Sequence, residues 1–529
     1  MDGDYDIAVI GGGINGAGIA RDAAMRGLKV LLLDKEDFGS GTTSWSSRLI
    51  HGGLRYLEYA EIPLVFESLH ERRRLREHAP HLIEKLSLII PVYEDSRRGM
   101  FIIRLGMIAY DLLSIGKKVP RHRMLDREAL LREAPAILET GLLGGAQYYD
   151  GQANYPERIV IENVIAAAAA GADVRNHSPV IGINVREGRV RSLQYVDHAS
   201  GRELEVSARV IINAAGPWVD RVLSTVNREF APLMGGTKGS HIIVGEFDGA
   251  PASAFYVEAA SDGRPFFIIP WNGQYLIGTT DIRFEGDAGD VTPDEEEIDY
   301  LLDETNRVFP TAALSRDDIH YVYAGVRPLP RREEGPESAI TRKHIILRHR
   351  REARGLISII GGKLTTYRSL AEQAVDKSLR LIDKRAGRCR TRDEPLPGGK
   401  DYERAVHALA DRDDIGEACA RRLLSIYGGR AVDLVEAGLD SSDDGFIDAA
   451  RTVLAAEVRY AIEQEHAKTL TDIVHRRMMT GLRPDNGVSL NEEIATLAAD
   501  VAGWDKAELK RQVDELERWN ARLALPGED

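Results

Sequence analysis

Tyr5-Asp6-Ile7-Ala8-Val9-Ile10 leads straight into Gly11-Gly12-Gly13-Ile14-Asn15-Gly16, and the reading of this stretch decides the fold. An apolar strand meets a glycine turn, an Ala- and Gly-rich helix follows, and a second strand from Leu28 to Leu33 ends on Asp34. That order is a dinucleotide-binding βαβ unit. Gly11 and Gly13 allow the tight turn and bring backbone close to a pyrophosphate, Gly16 lets helix pack on strand, and the helix N-terminus offers N–H groups to the anion. Asp34 falls where a carboxylate takes a ribose hydroxyl. A lone GxGxxG is weak evidence, but here the flanking strands and the terminal acid hold their places as well.

Working outward, the chain has 529 residues, 43% of them hydrophobic, which allows about two to four domains with substantial cores. A formal net charge of −14 leaves no excess of Lys and Arg to neutralise a nucleic-acid backbone, so an anionic small molecule would need a local basic cluster. Cys389 and Cys419, with no CxxC, predict neither a disulfide framework nor a cysteine metal site and fit a reducing compartment. The fourteen histidines show no HExxH, and no metal is expected. A start that is already strand predicts no signal peptide and cytoplasmic residence.

Two further segments have the shape of strand ends at the same nucleotide site. Val210-Ile211-Ile212 runs into Asn213-Ala214-Ala215-Gly216-Pro217-Trp218, and Ile357-Ser358-Ile359-Ile360 runs into Gly361-Gly362-Lys363-Leu364-Thr365-Thr366, opening a helix to about Leu381. A parallel strand ending in small residues presents N–H groups at the carboxyl edge of the sheet. From about 219 to 349 the pattern alternates β-branched and aromatic residues, with Asn272-Gly273 as a hairpin turn. An antiparallel sheet is expected there, inserted into the nucleotide domain. Pro395-Leu396-Pro397-Gly398-Gly399 reads as a linker. Beyond it, 400–529 reads as a helical domain with helices in Ala420–Ile426, Ile447–His475 and Leu509–Leu523.

Met100 to Ile115 is largely apolar, with Arg104 and Asp111 its only charged residues, and is bracketed by Arg97, Arg98, Lys117, Lys118, Arg121 and Arg123. It is too short to span a bilayer. Basic flanks suit a helix lying in a headgroup layer, while its composition equally suits a buried core helix.

Ser44-Trp45-Ser46-Ser47-Arg48-Leu49-Ile50-His51-Gly52-Gly53-Leu54-Arg55-Tyr56-Leu57-Glu58 is the most informative chemical cluster. Its hydroxyls and glycines permit close approach to a flat cofactor. This run is similar to the signature of the FAD-dependent glycerol-3-phosphate dehydrogenases of aerobic type. Lys238-Gly239-Ser240-His241, Gly325-Val326-Arg327-Pro328-Leu329, Ala339-Ile340-Thr341-Arg342 and Gly361 to Arg368 resemble family motifs in family order. So does Glu465-His466-Ala467-Lys468-Thr469-Leu470-Thr471-Asp472 with Arg476-Arg477.

The resemblance implies an α/β fold: a discontinuous FAD-binding Rossmann-like domain (about 1–90, 150–218 and 350–390), an antiparallel-sheet substrate domain (about 91–149 and 219–349) and an all-helical C-terminal domain. It implies oxidation of sn-glycerol 3-phosphate to dihydroxyacetone phosphate, hydride transfer to FAD and electron transfer to a membrane quinone. It also tips the 100–115 segment toward an anionic membrane surface, with no nucleic acid as partner and homo-oligomerisation left open. FAD is expected on Gly11, Gly12, Gly13, Asn15, Gly16, Asp34, Lys35, Ser44, Ser46, Ser47, Leu49, Gly52, Gly53, Ala215, Gly216, Trp218, Gly362, Leu364 and Thr365.

A phosphate dianion calls for several cations, and Arg55, Arg327, Arg342 and Lys363 are the candidates. Tyr56 and Thr366 are the candidate hydroxyl donors. Removing hydride from C2 requires a base for the C2 hydroxyl, for which His51 is the first candidate and His241 its rival or partner. Lys363 would also stabilise charge on reduced flavin. An oxidase that passes electrons to oxygen would share these motifs. A non-catalytic flavin scaffold fits less well with all the candidate cations and His51 intact, and an amine oxidase would need one dominant Arg rather than several.

Overall fold

The structure, a computed structural model, describes residues 4–57, 61–116, 119–198, 200–331, 343–382, 384–439 and 445–527. Two sheets and a helical domain make up the molecule. In the first sheet the central strands Tyr5–Ile10, Val30–Leu33, Arg202–Asn213 and Leu356–Ile360 are parallel. Asp173–Arg175 extends it in parallel on one edge, and Ile345–Arg348 closes the other edge antiparallel. Ile7–Ile10, Val30–Leu33 and Val210–Ile212 are continuously apolar where the sheet is covered, and Ile14–Met25, Pro156–Ala169 and Tyr367–Leu379 share one core with it, whereas the first half of Arg202–Asn213 runs out polar and exposed. The three strand-to-turn signals of the sequence thus end side by side.

Among the described residues the second sheet has ten strands, most of them antiparallel. Ala254–Glu258 pairs parallel with Ile83–Tyr93, so the sheet is mixed rather than purely antiparallel. Ile83–Tyr93 also crosses the expected domain division near residue 90, and Leu142–Ala153, its antiparallel partner, crosses the one near 150. The pairing is what holds both strands in the second sheet.

The C-terminal domain is helical, with differences from the expected elements. Ile447–His475 is not one helix: Ala456–Glu463 is followed by a loop, then by the short turn Leu470–Asp472 and a π-helical turn Ile473–Arg477. Apolar spacing continues across the breaks because each piece buries its own side chains in the same core. Pro395–Gly399 is not a free linker either. Gly398 is buried and donates its N–H to Glu162 in the nucleotide domain at 2.6 Å.

Met100–Leu113 is a helix that buries only Met107 and Tyr110. Phe101, Ile102, Leu105, Ile108 and Leu112 are exposed, Phe101 by 72%. The buried-core reading is therefore excluded. Lys117 and Lys118 lie outside the described residues.

Candidate active site

A cavity of about 1890 Å3 runs between the two sheets and reaches the C-terminal domain. Typical small-ligand pockets measure about 300–1000 Å3, so there is room for a dinucleotide and a second small molecule together. Gly11, Gly13, Asn15, Asp34, Lys35, Ser46, Ser47, Leu49, Ala215, Gly216, Trp218, Gly362 and Leu364 line it. Other predicted cofactor residues stand one layer back. Gly12 lies against Phe38, Gly16 against the Gly11 carbonyl, and Gly53 is buried. Ser44 donates to Gly39 O at 2.7 Å, the Gly52 N–H donates to Asp150 at 3.0 Å, and Thr365 Oγ1 accepts from the His51 N–H at 3.2 Å.

The strand ends explain the glycines. Gly11 has φ +100°, and a Cβ there would stand 2.6 Å from Ala214 O on the neighbouring strand end. Gly362 has φ +114°, and its Cβ would stand 2.7 Å from the Asn15 side chain. L-residues avoid both conformations. Asp34 accepts from the Gly12 N–H at 2.5 Å and the Glu36 N–H at 2.9 Å. Burial pushes its carboxyl up to about 6 against those two donors. Lys35 lies over the Trp218 ring at 4.2 Å, and Trp218 Nε1 donates to Asp287.

The candidate reactive residues fall into two groups. In the first, His51 and Lys363 both face the cavity. Burial pushes the His51 imidazole down to about 4; Asp150 opposes this, and the Lys363 and Arg72 cations add to it. His51 is therefore neutral at pH 7. Behind it, Asp150 accepts from Tyr110 Oη at 2.8 Å and pairs with the buried Arg72, so the Gly52 N–H meets a fixed carboxylate.

In the second group, His241 is buried, with Nε2 at 2.9 Å from Ser47 Oγ and its ring stacked on Tyr323 at 4.8 Å. Burial and the Arg327 and Arg48 cations hold it well below the usual imidazole range. Its Nδ1 has no hydrogen-bond partner among the described residues. Arg327 ends the adjoining strand Ile319–Arg327 and is braced by Asp281 at 3.0 Å and by Thr279 Oγ1 at 3.0 Å. Gly239 leaves room for it, since a Cβ there would collide with the guanidinium.

Thr366 is buried and off the cavity wall, against the expectation of a substrate contact, because the turn from Lys363 aims its hydroxyl inward. The backbone of Arg55 and Tyr56 forms the 3-10 turn Leu54–Leu57, and their side chains lie outside what the structure describes. Arg342 also lies outside the described residues.

Sequence reading missed Asp37, Arg72, Tyr110 and Asp150. Their partners are remote in the chain, and the one local signal was an acid at Asp150 inside an otherwise small and aromatic strand. It also missed what Arg48 does. This residue sits at φ +57°, rare for a non-glycine, and its guanidinium forks onto Glu157 at 3.0 Å and lies over Trp271. The bend turns Ser47 toward His241 on one side and Leu49 toward the cavity on the other.

Residues 6–368 match the model of the FAD dependent oxidoreductase family, and residues 389–509 that of the C-terminal domain of alpha-glycerophosphate oxidase. Over 99% of its length the chain is 44% identical to a glycerol-3-phosphate dehydrogenase of Synechocystis, covering 97% of that protein. It is 40% identical to a D-erythritol 1-phosphate dehydrogenase of Brucella abortus, over 89% of this chain and 93% of that one. A solved glycerol-3-phosphate dehydrogenase from Bacillus halodurans, complexed with FAD, superposes with a TM-score of 0.79 at 27% identity, covering 99% of this chain and 96% of the other. The residues here fit that cofactor. A turn in which a Cβ at Gly11 or Gly362 would collide, a helix N-terminus with no acid in its first turn and the Asp34 carboxylate closing the second strand stand in one cavity.

Proposed function

We propose, for a chain that belongs to the FAD-dependent glycerol-3-phosphate dehydrogenases, the oxidation of sn-glycerol 3-phosphate to dihydroxyacetone phosphate, with electrons passing on to a membrane quinone. The observation that carries this reading is a neutral imidazole, His51, set beside the Lys363 cation on the wall of the cavity that Arg327 also lines. FAD, when bound, supplies a two-electron acceptor for the hydride from C2. Everything else falls to the side chains. Arg327, held in a fixed orientation by Asp281 and Thr279, and Lys363 take the phosphate, with Arg55 and Arg342 proposed as further cations. His51 takes the C2 hydroxyl proton as hydride leaves. His241, buried behind the cavity wall rather than on it and so without the substrate contact expected of it, holds Ser47 on that wall through Nε2.

The helix Met100–Leu113 supports a membrane-bound acceptor. Its solvent face carries Phe101, Leu105 and Leu112, while Ile103 and Met107 of the same helix line the cavity. A helix seated in a headgroup layer would thus border the site from which electrons leave. No helix among the described residues is long and apolar enough to cross a membrane. The exposed face therefore suits peripheral attachment.

The first experiment is anaerobic bleaching of bound flavin by sn-glycerol 3-phosphate, with sn-glycerol 1-phosphate, D-erythritol 1-phosphate and glycerol beside it. Bleaching by sn-glycerol 3-phosphate well ahead of the others is the expected result. Equal or faster bleaching by the four-carbon phosphate would reassign the substrate. Flotation with anionic vesicles tests the docking helix, and protein left in the bottom fraction would remove that reading.

A further inference from the structure

The motif from Glu465 to Arg477 takes no part in the chemistry proposed above, yet it is buried almost completely. Glu465, Asp472 and Arg477 are each 0% exposed. Charged residues that deep are expected to be paired. Some partners are in the same domain, as Arg430 is for Glu465 at 3.0 Å, and others lie in the nucleotide-binding domain.

Asp37 sits three positions after Asp34, in the loop that follows the second strand. Its carboxylate accepts from Arg477 Nη1 at 2.8 Å and Nη2 at 2.9 Å, from Arg476 Nε at 2.6 Å and from Asn176 Nδ2 at 2.8 Å. Consecutive residues of an α-helix diverge by about 100° and would not both reach one carboxylate. The π turn Ile473–Arg477 is what lets Arg476 and Arg477 converge. The other side of Arg476 meets Asp472 at 2.8 Å, and Asp472 meets His177 Nε2 at 2.9 Å. Glu465 takes a fork from Arg158, on the helix Pro156–Ala169, at 2.5 and 2.6 Å. Asp37, His177 and Asp472 stand as close as metal ligands do, but guanidinium groups already supply the positive charge.

What this cluster holds is the back of the cofactor cradle. Asp37, Asp472 and Arg476 form part of the cavity wall. Phe38 follows Asp37 and backs Gly12, where a Cβ would stand 2.4 Å from its ring, and the Gly39 N–H donates to Gly12 O at 3.1 Å. Displacement of Asp37 would therefore reach the Gly11–Gly13 turn through two residues. We propose that the C-terminal domain is a cofactor-retention device: Arg476 and Arg477, acting through Asp37, are positioning residues that keep the 34–39 loop and the glycine turn in the conformation that holds FAD. The proposal does not depend on which polyol phosphate is oxidised.

The test uses the full-length holoenzyme and follows release of flavin fluorescence on dilution, alongside titration of the apoprotein with FAD. Arg476→Met leaves Asp37 with Arg477 and Asp472 with His177, so no buried charge is orphaned and the variant is expected to fold. Its FAD release should be faster by about tenfold, the scale of one lost charge-assisted hydrogen bond, and Arg476→Lys should recover most of that loss. The FAD concentration for half-maximal activity should rise while kcat at saturating FAD holds. Asp37→Asn should exceed Arg476→Met in the same direction. Folded Arg476→Met with wild-type FAD release overturns the proposal, and so does a kcat that falls in step with FAD affinity or a lysine variant no better than methionine. Should Asp37→Asn fail to fold, the Arg476 pair decides alone.

Discussion

The two ends of the cavity treat buried polar groups in opposite ways. At the C-terminal end both oxygens of Asp37 are saturated by Asn176, Arg476 and Arg477, and Asp472 engages His177 and Arg476. Behind the other end, His241 Nδ1 and Ser240 Oγ are buried with no hydrogen-bond partner among the described residues, and on the wall itself His51 is kept uncharged by burial and neighbouring cations. A saturated cluster resists motion, because each carboxylate is held by more than one partner at once. An unsaturated one keeps polar groups at a cost that the surrounding fold must carry. The difference separates the part of the chain that holds its shape from the part in which the proposed chemistry is placed.

Four changes would break or sharpen that contrast, the largest first. His51→Asn should slow anaerobic flavin reduction by about 10²- to 10⁴-fold, the usual weight of a general base, whereas His241→Asn should cost far less. The reverse order in stopped-flow traces would exchange the roles of the two imidazoles. Arg327→Lys should raise KM for the phosphorylated substrate by about tenfold or more, since an ammonium cannot keep the fork geometry that Asp281 and Thr279 brace. An unchanged KM would move the phosphate elsewhere.

Next comes stability in acid. His51 has a folded pKa of about 4, below the ordinary 6.5, so between those values the unfolded chain binds a proton that the folded chain does not. Its contribution is destabilising as pH falls through that window. His177 behaves in the opposite sense: burial disfavours its charge, the Asp472 carboxylate outweighs burial and raises it, and its contribution is present in acid and lost as pH rises. Urea midpoints should fall from pH 7 to pH 5, and His51→Asn should flatten the decline by on the order of 1–2 kcal/mol at pH 5. A steeper decline in that variant would contradict a neutral imidazole at this position.

The smallest effect on the fold belongs to the exposed helix. Phe101→Ser with Leu112→Ser should leave the unfolding midpoint within about 0.5 kcal/mol, because neither side chain is buried. Vesicle partitioning should weaken by about tenfold or more if these residues enter lipid. Unaltered partitioning would shift the contact away from this face.

How much of this was legible beforehand follows from the range of the interactions. Strand hydrophobicity, glycine turns and the acid closing the second strand are local patterns, so the residues alone determined the nucleotide-binding unit, the three strand ends at one sheet edge and the helical character of the C-terminal domain. Most predicted cofactor residues line the cavity for the same reason: a glycine needed at φ +100° must be written at that position. The exposure of Met100–Leu113 was open because an apolar helix reads alike in a core or on a surface. The break inside Ile447–His475 was hidden because every piece keeps apolar spacing toward one core. Only the tertiary structure decided that Ser47 meets His241 across 194 residues, that Asp150 backs the His51 turn and that Asp37 meets Arg477 across 440. Such pairs leave no periodic trace, because a single carboxylate or imidazole carries no record of its partner until the sheets bring the two together.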